Sequence, residues 1–442
     1  MPALNFVGQS AQDKDNLASN TSRLVNCYRE SNGESLSVKS VLGMVQFSTL
    51  TGAVVRAMAR VGGIIYVVHG GNLWSVSDLG VAVNLGAIPD SDMTTISGNN
   101  GKVTIVANGN YYVLSSGTIT QPTAGAFSSF GSVTFLGQLT VLTEKNGRRI
   151  QWSAVANPLT LNGLSFATTE SRDDNNIRAT TIGGELWIFK EQSIERWAQA
   201  STGVFGLPGA TIDKGLKAFG LLSSAGLGGF FVANDNRAYV VGAGGAMQPV
   251  STAAVETSIK QDSPQTVLYH QDEGHEFYCI TFPARPAWCY DTTSGEWCER
   301  GEGVSGAWSA DYSAEAYGAS FVAGPDGTIS RLDRVNVDYS GPLVRTMVSR
   351  NMNMEGNYFT VPKLEFQART GYSEAPQVML RISRDRGNLW SVPMQKSLGS
   401  VGSYDETVAF RALGRGKNFA AELSIADAFE VTIDATAWVG VA

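Results

Sequence analysis

The sequence predicts an all-β protein: a β-propeller of six or seven blades, with an additional antiparallel β-sandwich-like C-terminal domain and an extended N-terminal arm. Three observations lead there. Helical periodicity is almost absent along the chain. Short runs of β-forming residues recur instead, each closed by a turn rich in Gly, Asn or Asp. These runs pair into hairpins whose starts lie roughly 36–48 residues apart, the spacing of propeller blades.

Composition agrees. The 442 residues include 49 Gly but only 14 Pro, which suits strands joined by tight turns rather than a Pro-rich disordered chain. The length allows two or three domains and a large buried core.

In chain order, residues 1–50 read as an N-terminal arm with docking strands, polar at first (SAQDKDNLASNTSRLVNCYRESNGES) and then extended. Residues 51–335 read as the propeller. Its hairpins are GGIIYVVHGGNLWSVS (62–77), GKVTIVANGNYYVLSS (101–116), GQLTVLTEKNGRRIQWS (137–153), GELWIFKEQSIERW (184–197), GGFFVANDNRAYVV (228–241), HEFYCITFPARPAWCYD (275–291) and GASFVAGPDGTISRLD (318–333). Their turns use residues that tolerate positive φ. A lone hairpin cannot bury its apolar face, so the units pack face to face around an axis, each completed by two more variable strands. Residues 336–442 read as a C-terminal β domain, a platform or interface. Its strands lie in TVPKLEFQA (360–368), QVMLRIS (377–383), ETVAFRAL (406–413), FAAELSI (419–425) and FEVTIDATAWVGV (429–441).

Charge and chemistry narrow the function. The net charge is −7, so a surface that grips DNA phosphates is not expected. No run reaches the ~18 apolar residues of a membrane helix. The N-terminus has neither a basic nor an apolar segment of a signal peptide, and folding in a reducing cytoplasm is expected. Cys279, Cys289 and Cys298 lie near His270 and His275, but not at the spacings of a zinc knuckle or ribbon. They read, with Cys27, as free thiols in strand cores. The neighbouring carboxylates Asp173-Asp174, Asp272-Glu273 and Asp405-Glu406 read as solvated loops, since adjacent strand residues point to opposite faces. Asp235 and Asp326 sit in hairpin turns, where Asp belongs. No nucleophile elbow and no strand-to-helix phosphate loop is present. Trp74, Trp152, Trp187, Trp197, Trp297 and Trp390 stand at strand ends and read as wedges between blades rather than a sugar-stacking platform. No catalytic residue, metal or cofactor is expected.

The segment Ser383-x-Asp385-x-Gly387-x-x-Trp390 is an Asp box. Such a box invites an alternative reading, a sialidase-like glycosidase or a stand-alone glycan-binding propeller. The Asp and Ser of the box cap a tight hairpin, Gly387 supplies positive φ and the Trp packs beneath. The four residues therefore read as a structural turn.

Residues 173–215, DDNNIRATTIGGELWIFKEQSIERWAQASTGVFGLPGATIDKG, carry a further signal. The acidic dipeptide before an Ile leads to Glu185, Trp187 and Phe189, then Ser193, Glu195 and Trp197, then Gly203, Phe205, Pro208 and Gly209–Gly215. This segment resembles the packaged-DNA stabilisation, or tail nozzle (tail hub), proteins of short-tailed phages (podoviruses). The opening RLVNCYRESNGES…VLGM (23–44) is similar to that family's Arg-x-x-Asn-x-Tyr-x-Glu start, with Leu42-Gly43 where Pro-Gly is usual. The Asp-box turn, Leu398-Gly399, Gly402-x-Tyr404 and Arg411-x-Leu413-Gly414 match in order near the end. Lys190 stands where the family commonly has Gly. The resemblance implies a structural virion protein without catalysis. It would be a homo-hexameric tail nozzle below the portal and an adaptor (head-to-tail connector) ring, lining the DNA exit channel. It would retain packaged DNA until ejection and dock a tail fibre or tailspike, with a tail needle or plug as a further partner. Genomic DNA would pass without specific binding, and the chain would not insert into membrane. It would be made and assembled in the host cytoplasm and end in the virion tail.

Overall fold

The computed structural model describes residues 3–5, 7–11, 21–31, 36–89, 94–123, 125–200, 205–206, 211–226, 228–303, 306–338, 341–369, 376–403, 406–427 and 432–440. They form a seven-bladed propeller joined to a β-sandwich. The blades occupy residues 55–87, 94–120, 130–168, 176–206, 222–249, 267–300 and 312–333, each as an antiparallel meander. The seven sequence hairpins are the two middle strands of successive blades; in blade one these are Ile64–His69 and Asn72–Val76. The innermost strands line the axis and lie side by side around it, with Tyr312–Ala316 of blade seven back against Val55–Val61 of blade one. Between blades four and five the link is polar: Arg178 donates to the carbonyls of Phe219 and Leu222, and Thr180 bonds the Ser224 hydroxyl.

Each blade is apolar on both faces because it is sandwiched between two others, so the core divides into clusters at the blade interfaces. Trp187, Phe189, Phe231 and Tyr239 fill the one between blades four and five. Trp297 sits with Phe230 and Tyr278 between blades five and six, where a short helix, α1 (Ala253–Gln261), also packs. Trp74, Trp152 and Trp197 occupy other interfaces. Trp390 departs from the wedge expectation, since it belongs to a turn of the sandwich.

Blade seven supplies only three strands from the end of the propeller. Its fourth, Gly43–Thr49, comes from the start of the chain and pairs antiparallel with Thr328–Asp333. The ring is thus closed by hydrogen bonds between distant parts of one chain.

The sandwich is built from two sheets. One runs Cys27–Ser31, Leu36–Ser40, Thr432–Gly440, Lys363–Arg369, Glu406–Arg411, with Ala3–Asn5 also on Thr432–Gly440. The other runs Arg23–Val25, Arg345–Val348, Asn418–Ile425, Gln377–Ser383, Met394–Ser397, and it is continuous with blade six. The join is a parallel bridge between Val25 and Glu299 of the outermost blade-six strand. The apolar core is continuous too. Leu268, Phe277, Trp308 and Leu332, from blades six and seven and their connection, share one cluster with Phe366, Phe410, Leu380 and Leu423 of the sandwich.

Gly43 shows how tight the closure is. A Cβ there would lie 2.3 Å from the carbonyl oxygen of Val337 and 2.4 Å from that of Val335. Gly43→Ala should therefore destabilise the chain by about 1–3 kcal/mol through overpacking. A thermal melt, read beside proteolytic release of the N-terminal strand, checks this; an unchanged melting temperature and digest would show that the closure tolerates a side chain.

Candidate functional site

Polar groups gather at three places among the described residues: the joint between propeller and sandwich, a buried ionic cluster in blade four, and the axis of the ring.

The joint is organised by Asn26, a fully buried residue at φ 58°. Its Nδ2 donates to the carbonyls of Gly301 (2.9 Å) and Val344 (2.8 Å). Its Oδ1 accepts from the Gly301 amide and from Arg300 Nη1, both at 3.0 Å. Its own amide donates to the Glu299 carbonyl at 2.8 Å. One side chain thereby ties the N-terminal segment, blade six and the start of the sandwich. Around it, Arg23 forks onto buried Glu299, with Nε to Oε1 at 2.9 Å and Nη2 to Oε2 at 2.8 Å. Arg300 forks onto Asp338 at 2.8 and 2.6 Å. Tyr28 packs against His275 and Phe277. His275 Nδ1 lies 2.7 Å from Asp291, and Nε2 lies 3.3 Å from Glu30. Arg23, Asn26, Tyr28 and Glu30, the four positions of the Arg-x-x-Asn-x-Tyr-x-Glu motif, thus converge on one seam.

In blade four, Lys190 is fully buried. Its Nζ lies 3.0 Å from Asp174, 3.3 Å from Glu195 and 2.8 Å from the Arg172 carbonyl. Asp174 also accepts from the Gln192 amide at 2.8 Å and the Ser193 hydroxyl at 3.0 Å. Glu195 accepts from Trp197 Nε1 at 3.0 Å. Burial pushes the Asp174 carboxyl up, but the Gln192 amide, Lys190 and Ser193 together bring it below its ordinary value. Glu185 pairs with Arg196 at 2.6 Å, and that guanidinium covers the Trp187 ring. Trp187 stacks on Phe189, which meets Phe231 edge-on. A Cβ on Gly215 would lie 2.0 Å from the Glu191 carbonyl oxygen, so the chain passes against the blade-four turn there. Gly203 and Pro208 lie outside the described residues, as do Tyr404 and Asp405.

The solvated reading of the carboxylate pairs fails at two places. Asp174 is buried while Asp173 faces water beside Arg148. Asp272 is buried against Arg334, which also reaches Glu273. The free-thiol reading fails as well. Cys279 and Cys289 are cross-strand partners in blade six and form a disulfide, while Cys27 and Cys298 are free and buried. Their pairing was readable from hairpin 275–291, whose turn sets the two residues opposite one another. His270 stacks on Phe277, and burial lowers its pKa to about 3.

The Asp-box residues form the turn that leads from Gln377–Ser383 towards Met394–Ser397. The Ser383 hydroxyl accepts from the Gly387 amide at 2.8 Å and donates to Asp385 Oδ1 at 2.7 Å. Asp385 Oδ1 accepts from the Leu389 amide at 2.9 Å. That amide and the Ser383 hydroxyl hold the Asp385 carboxyl below its ordinary value. Gly387 has φ 85°, and the Arg381 guanidinium lies over the Trp390 ring.

The axis of the ring holds a cavity of about 730 Å³. Phe219 lines it and also lines a second cavity of about 110 Å³ at the face that carries the middle-hairpin turns. Arg178, Arg56, Asp311 and Glu315 lie on the wall of the larger cavity. Sequence reasoning did not single these out. The available signal was the position of Arg178 in the strand that precedes a middle hairpin.

Residues 6–324 match the family described as bacteriophage P22 Gp10, beta-propeller, and residues 344–438 match bacteriophage P22 Gp10, beta-sandwich. No curated protein matches the chain. Similar solved structures include the computationally designed Ika8 protein, 11% identical over 65% of this chain and 99% of that one, with a TM-score of 0.44. BamB from Moraxella catarrhalis is 10% identical over 75% and 98%, with a TM-score of 0.43. Likenesses this remote say nothing of function.

Lys190→Met strands two buried carboxylates, and should cost about 3–5 kcal/mol in urea unfolding at neutral pH. Lys214→Met, which breaks the more exposed pair with Asp235, should cost at most about 1 kcal/mol. The Asp174 contribution is whole above about pH 4 and is lost as pH falls through the depressed folded value. Equal costs for the two lysines would remove the ionic cluster from the stability of blade four. Asp385→Ala should cost about 1 kcal/mol through lost backbone capping. A denaturation midpoint identical to that of the parent chain would show that the turn holds without its carboxylate.

Proposed function

This chain belongs to the bacteriophage P22 Gp10 family of structural phage tail proteins, and from that premise we propose that it is the tail nozzle, or hub, of a short-tailed phage. Six copies form a ring below the adaptor, and the genome leaves through the space they enclose. The ring retains packaged DNA until infection and docks a tail fibre or tailspike, with a needle or plug below. It does this without catalysis and without a cofactor. The protein is made and assembled in the host cytoplasm.

The observation that carries this reading is the presence, in order on one chain, of both family domains, joined through a shared core. The propeller axis supports it by exclusion. The axial cavity is about 730 Å³ in all, the volume of a small-molecule pocket, and has no room for a DNA duplex. A path for DNA therefore needs several copies. The net charge of −7 favours a wall that phosphates slide past rather than grip.

Negative-stain microscopy of the purified protein, alone and mixed with its adaptor ring, tests the proposal. Six-fold rings with an open axis are expected. A chain that stays monomeric in assembled tails would overturn it.

A further inference from the structure

One end of the sandwich gathers three segments around Asn418. Its Oδ1 accepts from Nδ2 of Asn353 at 3.1 Å and from Nε of Arg386 at 3.3 Å. Asn353 also donates to the Lys417 carbonyl at 2.9 Å, and Arg384 donates to the Leu413 carbonyl at 2.9 Å. The Asp-box turn, the turn that follows Asn353 and the segment 413–418 are thereby fixed beside one another.

Four cations stand on this end. Arg384, Arg415 and Lys417 are exposed, and Arg386 is half-buried. Arg381, further back on its strand, pairs with Glu422, but none of the four makes an ion pair among the described residues. The acids of the three segments are Asp385, which caps its own turn, and Glu355, so the balance is positive on a chain whose net charge is −7.

Apolar side chains protrude beside these cations. Leu389 is 76% exposed, Tyr358 61% and Met354 45%. The Arg415 guanidinium carbon and Lys417 Nζ lie 5.2 and 5.1 Å from the Tyr358 ring centre. A lone exposed aliphatic side chain needs no explanation. Here aliphatic, aromatic and cationic groups share one end. A nucleic acid would meet the cations and leave Leu389 and Met354 in water. An apolar groove would take those two and strand the cations. The boundary of an anionic bilayer meets all three: phosphates attract Lys and Arg, Tyr settles at headgroup level, and aliphatic side chains enter the acyl edge.

We propose that this end of the sandwich docks on an anionic lipid surface, with the four cations among headgroup phosphates and Leu389, Met354 and Tyr358 at the acyl boundary. The contact is superficial and calls for no membrane-crossing segment. All of these residues belong to one copy, so docking stands whether or not copies assemble into rings.

Sedimentation of the full chain with vesicles of phosphatidylglycerol and phosphatidylcholine in equal parts tests this, with pure phosphatidylcholine vesicles and a DNA duplex as comparators. The mixed vesicles should bind at least about tenfold more tightly than pure phosphatidylcholine, and less as salt rises. Lys417→Gln should weaken this binding about fivefold and Leu389→Ser several-fold. A thermal melt of each variant separates loss of docking from loss of fold. No preference for the anionic vesicles, either variant folded and binding as tightly as the parent, or a duplex bound more tightly than the anionic vesicles would overturn the proposal. The last result would give the cations to nucleic acid.

Discussion

A propeller is a ring of sheets, and a ring held by packing alone opens where the two ends of the chain meet. In this protein that place is blade seven, and the strand Gly43–Thr49 fastens it by pairing with Thr328–Asp333. The same N-terminal segment has already been used before it reaches the blade. Arg23–Val25 lies between blade six and the sandwich, and Asn26 turns the chain through a positive φ while satisfying both neighbours. Cys27–Ser31 and Leu36–Ser40 then enter the facing sheet of the sandwich. Closure of the ring and attachment of the sandwich are therefore one event. Loosening the fastening strand also exposes the core shared by blades six and seven with the sandwich.

The charged residues at the seam and in blade four have a common logic. Glu299, Arg300, Lys190 and Glu195 are all buried, and burying an ion is costly unless it is paired and hydrogen-bonded. Each of them is. Such pairs add little net stability over an apolar substitute, yet they penalise any arrangement that separates the partners. The fork of Arg23 on Glu299 fixes how the N-terminal segment meets blade six, and Lys190 with Asp174 and Glu195 fixes the strands of blade four to one another.

What the sequence showed depended on range. The middle hairpins were legible because two neighbouring strands and a short turn are all local, and Asn108 and Asn146 sit at positive φ where Asn is tolerated. The blade number stayed at six or seven because the last strand of the ring lies at the other end of the chain. Asp174 looked solvated because its partner Lys190 comes from the next strand but one hairpin register away, and nothing local marks the lysine as buried. The seam residues Arg23, Asn26, Tyr28 and Glu30 were visible as a motif, but their partners Glu299, Gly301 and His275 lie far along the chain. The axial wall was the least legible part. Arg178, Thr94 and Glu315 are separated by whole blades, and only closure of the ring brings them to one cavity.

The fastening strand also sets a clock. Gly43 pairs with Asp333, and a ribosome adding ~5–20 residues per second takes roughly 15–60 s to make the chain between them. For that time this strand is an unpaired edge, the kind of surface that joins whatever strand it meets. Where many copies are made together, the blade-seven edge of a neighbour is such a strand. Exchange of this segment between copies would give each ring a foreign fastener with every native bond intact. The order of synthesis, rather than the final energy, then decides whether a copy closes on itself.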